Sequence, residues 1–203
     1  PRQGTAMLVA ESVLNLACVG ARPIALVNCL NFGNPEHPEV MWQLSEAIDG
    51  MTEACEAFGL PVIGGNVSLY NETGGVDIDP TPVVGLLWLV DQLDRRPPGV
   101  SMGTGDRLVL VGDDLEGPTP SLAGSTVAWA AGHKGGTLPE LDKVRHTAVA
   151  NLVRSLVLDG ELAGIHDIAA GGLGVALAEL TCRSGLGLDV SGVVSAEQLC
   201  SEA

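Results

Sequence analysis

"PVIGGNVSLYNETGG", residues 61–75, begins like a buried strand and then turns to glycine, asparagine, serine and more glycine. Two readings are open. It is a turn-rich hairpin without chemistry, or a strand end that delivers backbone amides and hard oxygen ligands to a phosphate and its metal. The flanking pattern sets the frame. Upstream, residues 39–58 place Met41, Leu44, Ile48, Met51, Cys55 and Phe58 at helical spacing, and Gly59 stops the run. Before that helix, "IALVNCLNF" (24–32) reads as a buried strand broken by Gly33, Asn34 and Pro35. Residues 4–19 read as a first helix, with Met7, Leu8, Val13, Leu14 and Leu16 available for one face, Gly20 as its cap and Pro23 as its stop. Downstream, "PTPVVGLLWLV" (80–90) is another strand.

The pattern breaks at "DQLDRRPPGVSMGTGD" (91–106), where charge, two prolines and then glycines follow one another. A domain boundary near residue 97 follows, dividing the chain into 1–97 and 98–203. Past it, "RLVLVG" (107–112) has strand character and "SLAGSTVAWAAG" (121–132) reads as a loop and helix start. Leu141, Val144, Ala148, Leu152 and Leu156 mark a helix within 139–160. "LAGIHDIAAGG" (162–172) reads as a strand ending in a turn, and "LGVALAELTCRSG" (173–185) opens a further helix. Helices alternating with strands in both halves predict an α/β (α+β) architecture. The chain opens at Pro1 almost directly into a helix pattern and ends inside another, "SAEQLCSEA", so it is expected to be a piece of a longer protein.

Composition narrows the function. Of 203 residues, 46% are hydrophobic but only 3% aromatic, so the core is built from Leu, Val and Ala. Ten basic residues against 25 acidic give a formal net charge of -15. That opposes a nucleic-acid binder, which needs a basic surface to displace counterions. A nucleotide is still admissible, because local amides and a divalent cation can hold it on an acidic protein. Five cysteines without a C-x-x-C pair read as reduced core thiols of a cytoplasmic protein. No apolar run approaches the roughly 18 residues that span a bilayer.

Three stretches share one logic, an apolar strand followed at once by small or oxygen-bearing residues. They are "VNCLNFGNPE" (27–36), "GGNVSLYNETGG" (64–75) and "HDIAAGGLGVALAE" (166–179). In the third, Gly171 and Gly172 precede an apolar helix, where free N–H groups and the helix dipole make a candidate phosphate loop with His166 and Asp167. The bland reading is a glycine turn that lets strand and helix pack, with Asp167 a cap. In the first, Asn28, Asn31 and Asn34 have the chemistry to orient a ligand, while Asn34-Pro35 is equally ordinary turn chemistry. Glu36 and His37 lack a third ligand at useful spacing and are discounted as a metal pair. For the opening stretch, neutral amide and hydroxyl oxygens suit magnesium completed by nucleotide phosphates. No Walker A loop occurs. Spacing alone therefore ends at an anion-binding α/β protein.

"NCLNFGNPEHPEV", "GLPVIGGNVSLYNET" and "HDIAAGGLGVALAE", in this order, closely resemble the C-terminal half of the phosphoribosylformylglycinamidine synthase family. The third motif is shared more widely with the aminoimidazole ribonucleotide synthetase superfamily. The resemblance covers essentially the whole chain. It implies an N-terminal-type α/β domain followed by part of a C-terminal-type domain. It also implies an ATP-dependent ligase of purine biosynthesis, in which ATP activates the formamide oxygen of formylglycinamide ribonucleotide. Ammonia from a glutaminase subunit then displaces the phosphate, and a small accessory subunit completes the assembly.

Carried over by motif, Asn28 and Gly65 fall where the family contacts ATP, Asn66 where it binds magnesium, and Ser68 where it meets substrate. The family often has Asp where this chain has Asn28, an exchange that keeps hydrogen bonding but removes a charge. The family's catalytic histidine lies in the other half, so no catalytic residue is expected in this segment and the fragment is expected to be inactive alone. A fragment with one sheet uncovered is also expected to form a homodimer. Two other readings stay open: a different ATP-using member of the superfamily, and a non-catalytic half holding a structural nucleotide.

Overall fold

In a computed structural model of the chain, residues 1–92, 94, 96–112, 121–191 and 195–202 are described. They form two compact units. The first comprises Pro1–Ala17, Ala21–Asp91 and Glu140–Ala150; the second comprises Cys18–Gly20, Gln92–Pro139 and Asn151–Ala203.

The first unit opens with helix α1 (Arg2–Cys18), strand β1 (Arg22–Asn31), helix α2 (Pro38–Phe58) and strand β2 (Val62–Ser68). A short hairpin, β3 (Glu72–Thr73) with β4 (Val76–Asp77), leads to strand β5 (Thr81–Leu89). The sheet order is β2-β1-β5, with β1 parallel to β2 and antiparallel to β5. The parallel pair follows from the α2 crossover, which returns the chain to the same end of the sheet. Pro38 starts α2 without losing a needed N–H, and Gly59, at φ +67°, closes it with its amide on the Cys55 and Glu56 carbonyls.

The core sits where Leu26 and Leu30 of β1 and Leu86 of β5 meet buried residues of α1 and α2. The stripes these helices bury keep Val13, Leu44, Met51 and Cys55 of the expected ones and otherwise run through smaller residues. α1 buries Ala6, Val9, Ala10, Val13 and Ala17, and α2 buries Val40, Leu44, Ala47, Met51 and Ala54. Met41 and Ile48, expected inside, are exposed. Small residues win because they let backbones approach. A Cβ on Gly50 would lie inside the carbonyl group of Arg2, so α1 begins directly on α2 at that point. The Arg2 guanidinium seals the crossing with a short ion pair to Glu53, and Glu46 and Asp49 lie within 3.9 Å.

Helix α4 (Lys143–Asp159) contributes its first turns to this unit. Its His146 ring packs on Phe58 at 5.5 Å between centroids and places Nε2 2.8 Å from the Ala10 carbonyl. Burial pushes the imidazole below its ordinary range, against the raising effect of that carbonyl.

The second unit holds α3 (Thr126–Ala130), the rest of α4, α5 (Gly172–Ser184) and α6 (Ala196–Cys200). Val153, Val157, Ala176 and Leu180 are its buried apolar residues among those described. Ser125 caps α3 through the Ala128 amide, and Ser195 with Gln198 forms a reciprocal capping box at α6. Helix α6 is shorter than expected, and Ala203 lies outside the described residues.

The strands expected at 107–112 and 162–172 do not form; no described residue beyond Leu89 is in a strand. The nearest approach to a ladder is one bond, Ile165 N–H to the Gly99 carbonyl at 2.9 Å, flanked by Ser101 Oγ–H to the Ala163 carbonyl at 3.0 Å. An apolar run becomes a strand only where another backbone supplies a row of partners, and this pairing is too short to do so. The mixed α/β class holds.

Alanine normally stabilises a helix interior by about 1 kcal/mol relative to glycine. At position 50 the added methyl meets backbone that cannot rotate away, so Gly50→Ala is expected to lose about 2–4 kcal/mol instead. Urea unfolding with an unchanged m-value and a lower midpoint confirms the close crossing; a raised midpoint contradicts it.

Candidate functional site

The parallel strands β1 and β2 bring the first two motifs side by side. In register, Asn28 faces Gly65, Cys29 faces Asn66 and Asn31 faces Ser68. A Cβ on Gly65 would collide with the Asn28 amide oxygen, so the missing side chain is the space the carboxamide occupies. The Asn28 Nδ2 group donates toward Met51 Sδ at 3.5 Å, which turns this pair toward α2. Strand alternation sends the next pair to the other face. There Asn66, exposed, has Nδ2 3.9 Å from Cys29 Sγ. The structure thus joins Asn28 to Gly65, sets Asn66 across the sheet from them, and leaves Ser68 at the strand end.

Beyond Ser68 the loops after β1 and β2 are laced together. Phe32 N–H donates to the Ser68 carbonyl at 3.0 Å, Tyr70 N–H to Gly33 at 2.8 Å and Asn71 N–H to Phe32 at 3.2 Å. The Asn71 side-chain amide donates to both the Phe32 and Ser68 carbonyls at 3.0 Å, and its oxygen accepts the Ser68 hydroxyl at 3.2 Å. Phe32 is fully buried and anchors the crossing. Tyr70 adopts φ +60°, a left-handed conformation that costs a non-glycine residue about 1–2 kcal/mol. The Tyr70–Gly33 bond and its neighbours hold it there.

Asn34 proves to be turn chemistry, its Oδ1 accepting Glu36 N–H at 2.9 Å. Asn31 Nδ2 donates to the Thr81 carbonyl at 3.1 Å and so ties β1 to β5. Neither is a free ligand. Two residues that spacing does not single out matter more. Asn71 is the hub just described. Asp77 accepts Asn34 N–H at 2.7 Å on one oxygen and faces His37 Nδ1 at 2.6 Å with the other. The Asn34 amide first, and His37 second, hold this carboxyl below its ordinary range. The only sequence signal for Asp77 is Gly74-Gly75, whose turn folds it back beside Glu72.

In the second unit His166 Nε2 lies 3.0 Å from Glu179 Oε2. Its Nδ1 is 3.3 Å from Asp167 Oδ1, but without hydrogen-bonding alignment. Gly171, at φ +85°, caps α5 and donates its amide to Glu202 Oε1 at 2.7 Å. The same oxygen accepts Thr126 N–H at 2.7 Å. Gly172 N–H reaches the Ala169 carbonyl at 2.9 Å, and its Cα lies so close to α6 that a Cβ would be 2.5 Å from the Ser201 carbonyl. Both amides of the glycine pair are therefore engaged within the chain. Burial raises the Glu202 carboxyl, but the Thr126 and Gly171 amides outweigh it and keep the group below its ordinary range. These amides accordingly already hold an anion, and it is internal.

Among the described residues no three His, Cys, Asp or Glu side chains are grouped to hold a metal. Asn66 fits only as a single neutral oxygen ligand to a cation otherwise held by phosphates and water. The cysteines are free, and burial pushes the Cys18 thiol up to about 11, with Asp167 adding to the effect. Such a thiol is inert. No described helix is long and apolar enough to cross a membrane.

Residues 1–90 match the N-terminal domain of AIR synthase related protein, and residues 103–198 match its C-terminal domain. The phosphoribosylformylglycinamidine synthase subunit PurL of Moorella thermoacetica is 48% identical over 191 residues, 94% of this chain and 26% of that protein. A solved structure of Thermotoga maritima PurL complexed with FGAR matches at 30% identity and a TM-score of 0.50, covering 78% of this chain and 21% of that one. The HypE–HypF complex matches in fold alone, at 16% identity and a TM-score of 0.51 over 89% of this chain and 55% of that one. The chain spans about a quarter of the length of the curated relatives it matches. With both of its domains matched in order along the chain, the protein belongs to the AIR synthase related family.

Proposed function

We propose that this chain supplies part of the ATP, magnesium and substrate site of a phosphoribosylformylglycinamidine synthase. That enzyme is an ATP-dependent C–N ligase that converts formylglycinamide ribonucleotide to formylglycinamidine ribonucleotide in purine biosynthesis. The observation that carries this reading is the register that sets Asn28 of β1 beside Gly65 of β2, followed along β2 by Asn66 and Ser68. Ligands of open α/β sheets bind outside the carboxyl ends of parallel strands, and Ser68 closes β2 at that end.

Each residue takes the role that the resemblance implies. Asn28 and Gly65 form a wall toward ATP, the first through its carboxamide and the second by leaving room for that carboxamide. Asn66 offers its exposed amide oxygen to magnesium, which when bound neutralises phosphoryl charge. Ser68 presents its hydroxyl to the ribonucleotide from the laced loop end. His166, Asp167, Gly171 and Gly172 form the second candidate phosphate loop, where an incoming phosphate would have to displace Glu202. The boundary between the two synthetase domains falls near residue 97. The remaining partners are a glutaminase subunit and a small accessory subunit, in the cytoplasm. This chain alone lacks turnover, because the catalytic histidine belongs to the other half.

Asn66→Leu in the complete synthetase replaces the amide oxygen with an apolar group beside the phosphates. Turnover is expected to fall at least about 100-fold, the scale of losing one electrostatic contact to the reacting phosphates. The circular dichroism spectrum should not change. Unchanged turnover and unchanged magnesium dependence would return Asn66 to a strand residue.

The chain by itself is expected to dimerise. Val83, Leu87 and Leu89 of β5 and Val62 and Val67 of β2 are exposed, and β2 and β5 are both sheet edges. Apolar strands open to water favour pairing, and a two-fold dimer lets one patch serve both copies. The charge of -15 opposes this, but salt screens it beyond about 8 Å. Light scattering at tens of micromolar should give twice the chain mass; a monomer mass at every concentration counts against it.

A further inference from the structure

The loops after β1 and β2 close a ring of contacts around Ser68. The Ser68 carbonyl accepts from Phe32 N–H and from the Asn71 amide. The Asn71 carbonyl accepts Ile78 N–H at 3.2 Å, which ties the hub to the strand carrying Asp77. From Asp77 the ring returns to the β1 loop through Asn34 N–H and His37 Nδ1. Gly33 completes it. A Cβ there would lie 2.5 Å from Asp77 Cβ and Oδ1, so the loop backbone rests directly on the Asp77 side chain. Of the links described, those made by Asp77 involve an ionised group, and such bonds are roughly twice as strong as neutral ones.

We propose that Asp77 is a positioning residue that sets Ser68 at the end of β2, with His37 as its second anchor. Asp77 touches neither substrate nor nucleotide; it acts by clamping Gly33–His37 under the β3–β4 hairpin. Because an ionised carboxylate only accepts, the His37 Nδ1 that faces it is the donor of this bond. The inference rests on the proposed substrate role of Ser68. It extends that role to Asp77, further along the chain, and to His37, 40 residues before Asp77 in sequence.

The test uses Asp77→Asn in the complete synthetase. An asparagine oxygen still accepts Asn34 N–H, but its NH2 group turned to His37 meets a donor. The Nδ1–H hydrogen bond is therefore expected to be lost, read by nitrogen NMR of 15N-histidine-labelled protein with His37→Gln as the assignment control. Hydrogen exchange at the Phe32 and Asn71 amides should rise about tenfold, the equivalent of one charge-assisted bond. The KM for the ribonucleotide should rise by a similar factor, with kcat and the KM for ATP within about twofold. Because Asp77 acts through Ser68, Asp77→Asn should add no further KM increase in a Ser68→Ala background. Additive effects on KM, or Phe32 and Asn71 amides protected as in the parent, overturn the clamp. If Ser68→Ala alone leaves KM unchanged, the substrate role of Ser68 fails, and the His37 NMR and exchange results still decide whether Asp77 holds the loop.

Discussion

The first unit depends on one close approach, the Asn28 carboxamide lying in the space above Gly65. Any side chain at position 65 would force β1 and β2 apart or drive Asn28 out of its rotamer. Parallel pairing here brings two loop systems, well separated in sequence, to the same edge of the sheet. Once the strands are in register, Phe32, Ser68 and Asn71 can exchange their backbone bonds, and the hairpin that follows can lay Asp77 against Gly33. The same device recurs at Gly50, where the start of α1 rests on α2. In a protein with so few aromatic residues, missing side chains do the work that ring packing does elsewhere.

This economy also fits the charge. A strongly acidic surface repels free phosphates, so an anion must be met by donors that are local and fixed. Backbone amides at strand and helix ends meet that need without adding positive residues. The amides of Gly171 and Thr126 show the principle within the chain itself, since they hold the Glu202 carboxylate ionised despite its burial. On the proposed reading, nucleotide phosphates use the same kind of donor beside β1 and β2, while their cation takes oxygen ligands.

Much of the first unit is legible in the amino-acid pattern. The α2 boundaries follow from Pro38 and Gly59, and the strands β1, β2 and β5 from apolar runs ended by turn residues. The helix faces are legible only in part, through Leu44, Met51 and Cys55. Large residues such as Met41 and Ile48 dominate a hydrophobic pattern, whereas the buried stripe runs through Ala47, Gly50 and Ala54, whose value lies in being small. Local pattern also fails at 107–112 and 162–172, because a strand is a relation between two segments and neither segment carries its partner. In the site, the motif residues Asn28, Gly65, Asn66 and Ser68 stand out as small or polar interruptions of apolar runs. Asp77 and Glu202 do not, because their roles come from backbone amides distant in sequence, Asn34 for one and Thr126 and Gly171 for the other.

If the Asn28–Gly65 contact is the nucleotide-binding wall of this half, ATP affinity must depend on it. Calorimetric titration of ATP with magnesium into the complete synthetase measures this, comparing the parent with Gly65→Ala and with the Gly65→Ala/Asn28→Ala double variant. The single variant should lose both stability and at least about tenfold in affinity, since the new methyl displaces the carboxamide. The double variant, with the clash removed, should regain stability while its affinity stays low. Parent-like affinity in the double variant would contradict the nucleotide role and leave the pair as strand packing alone.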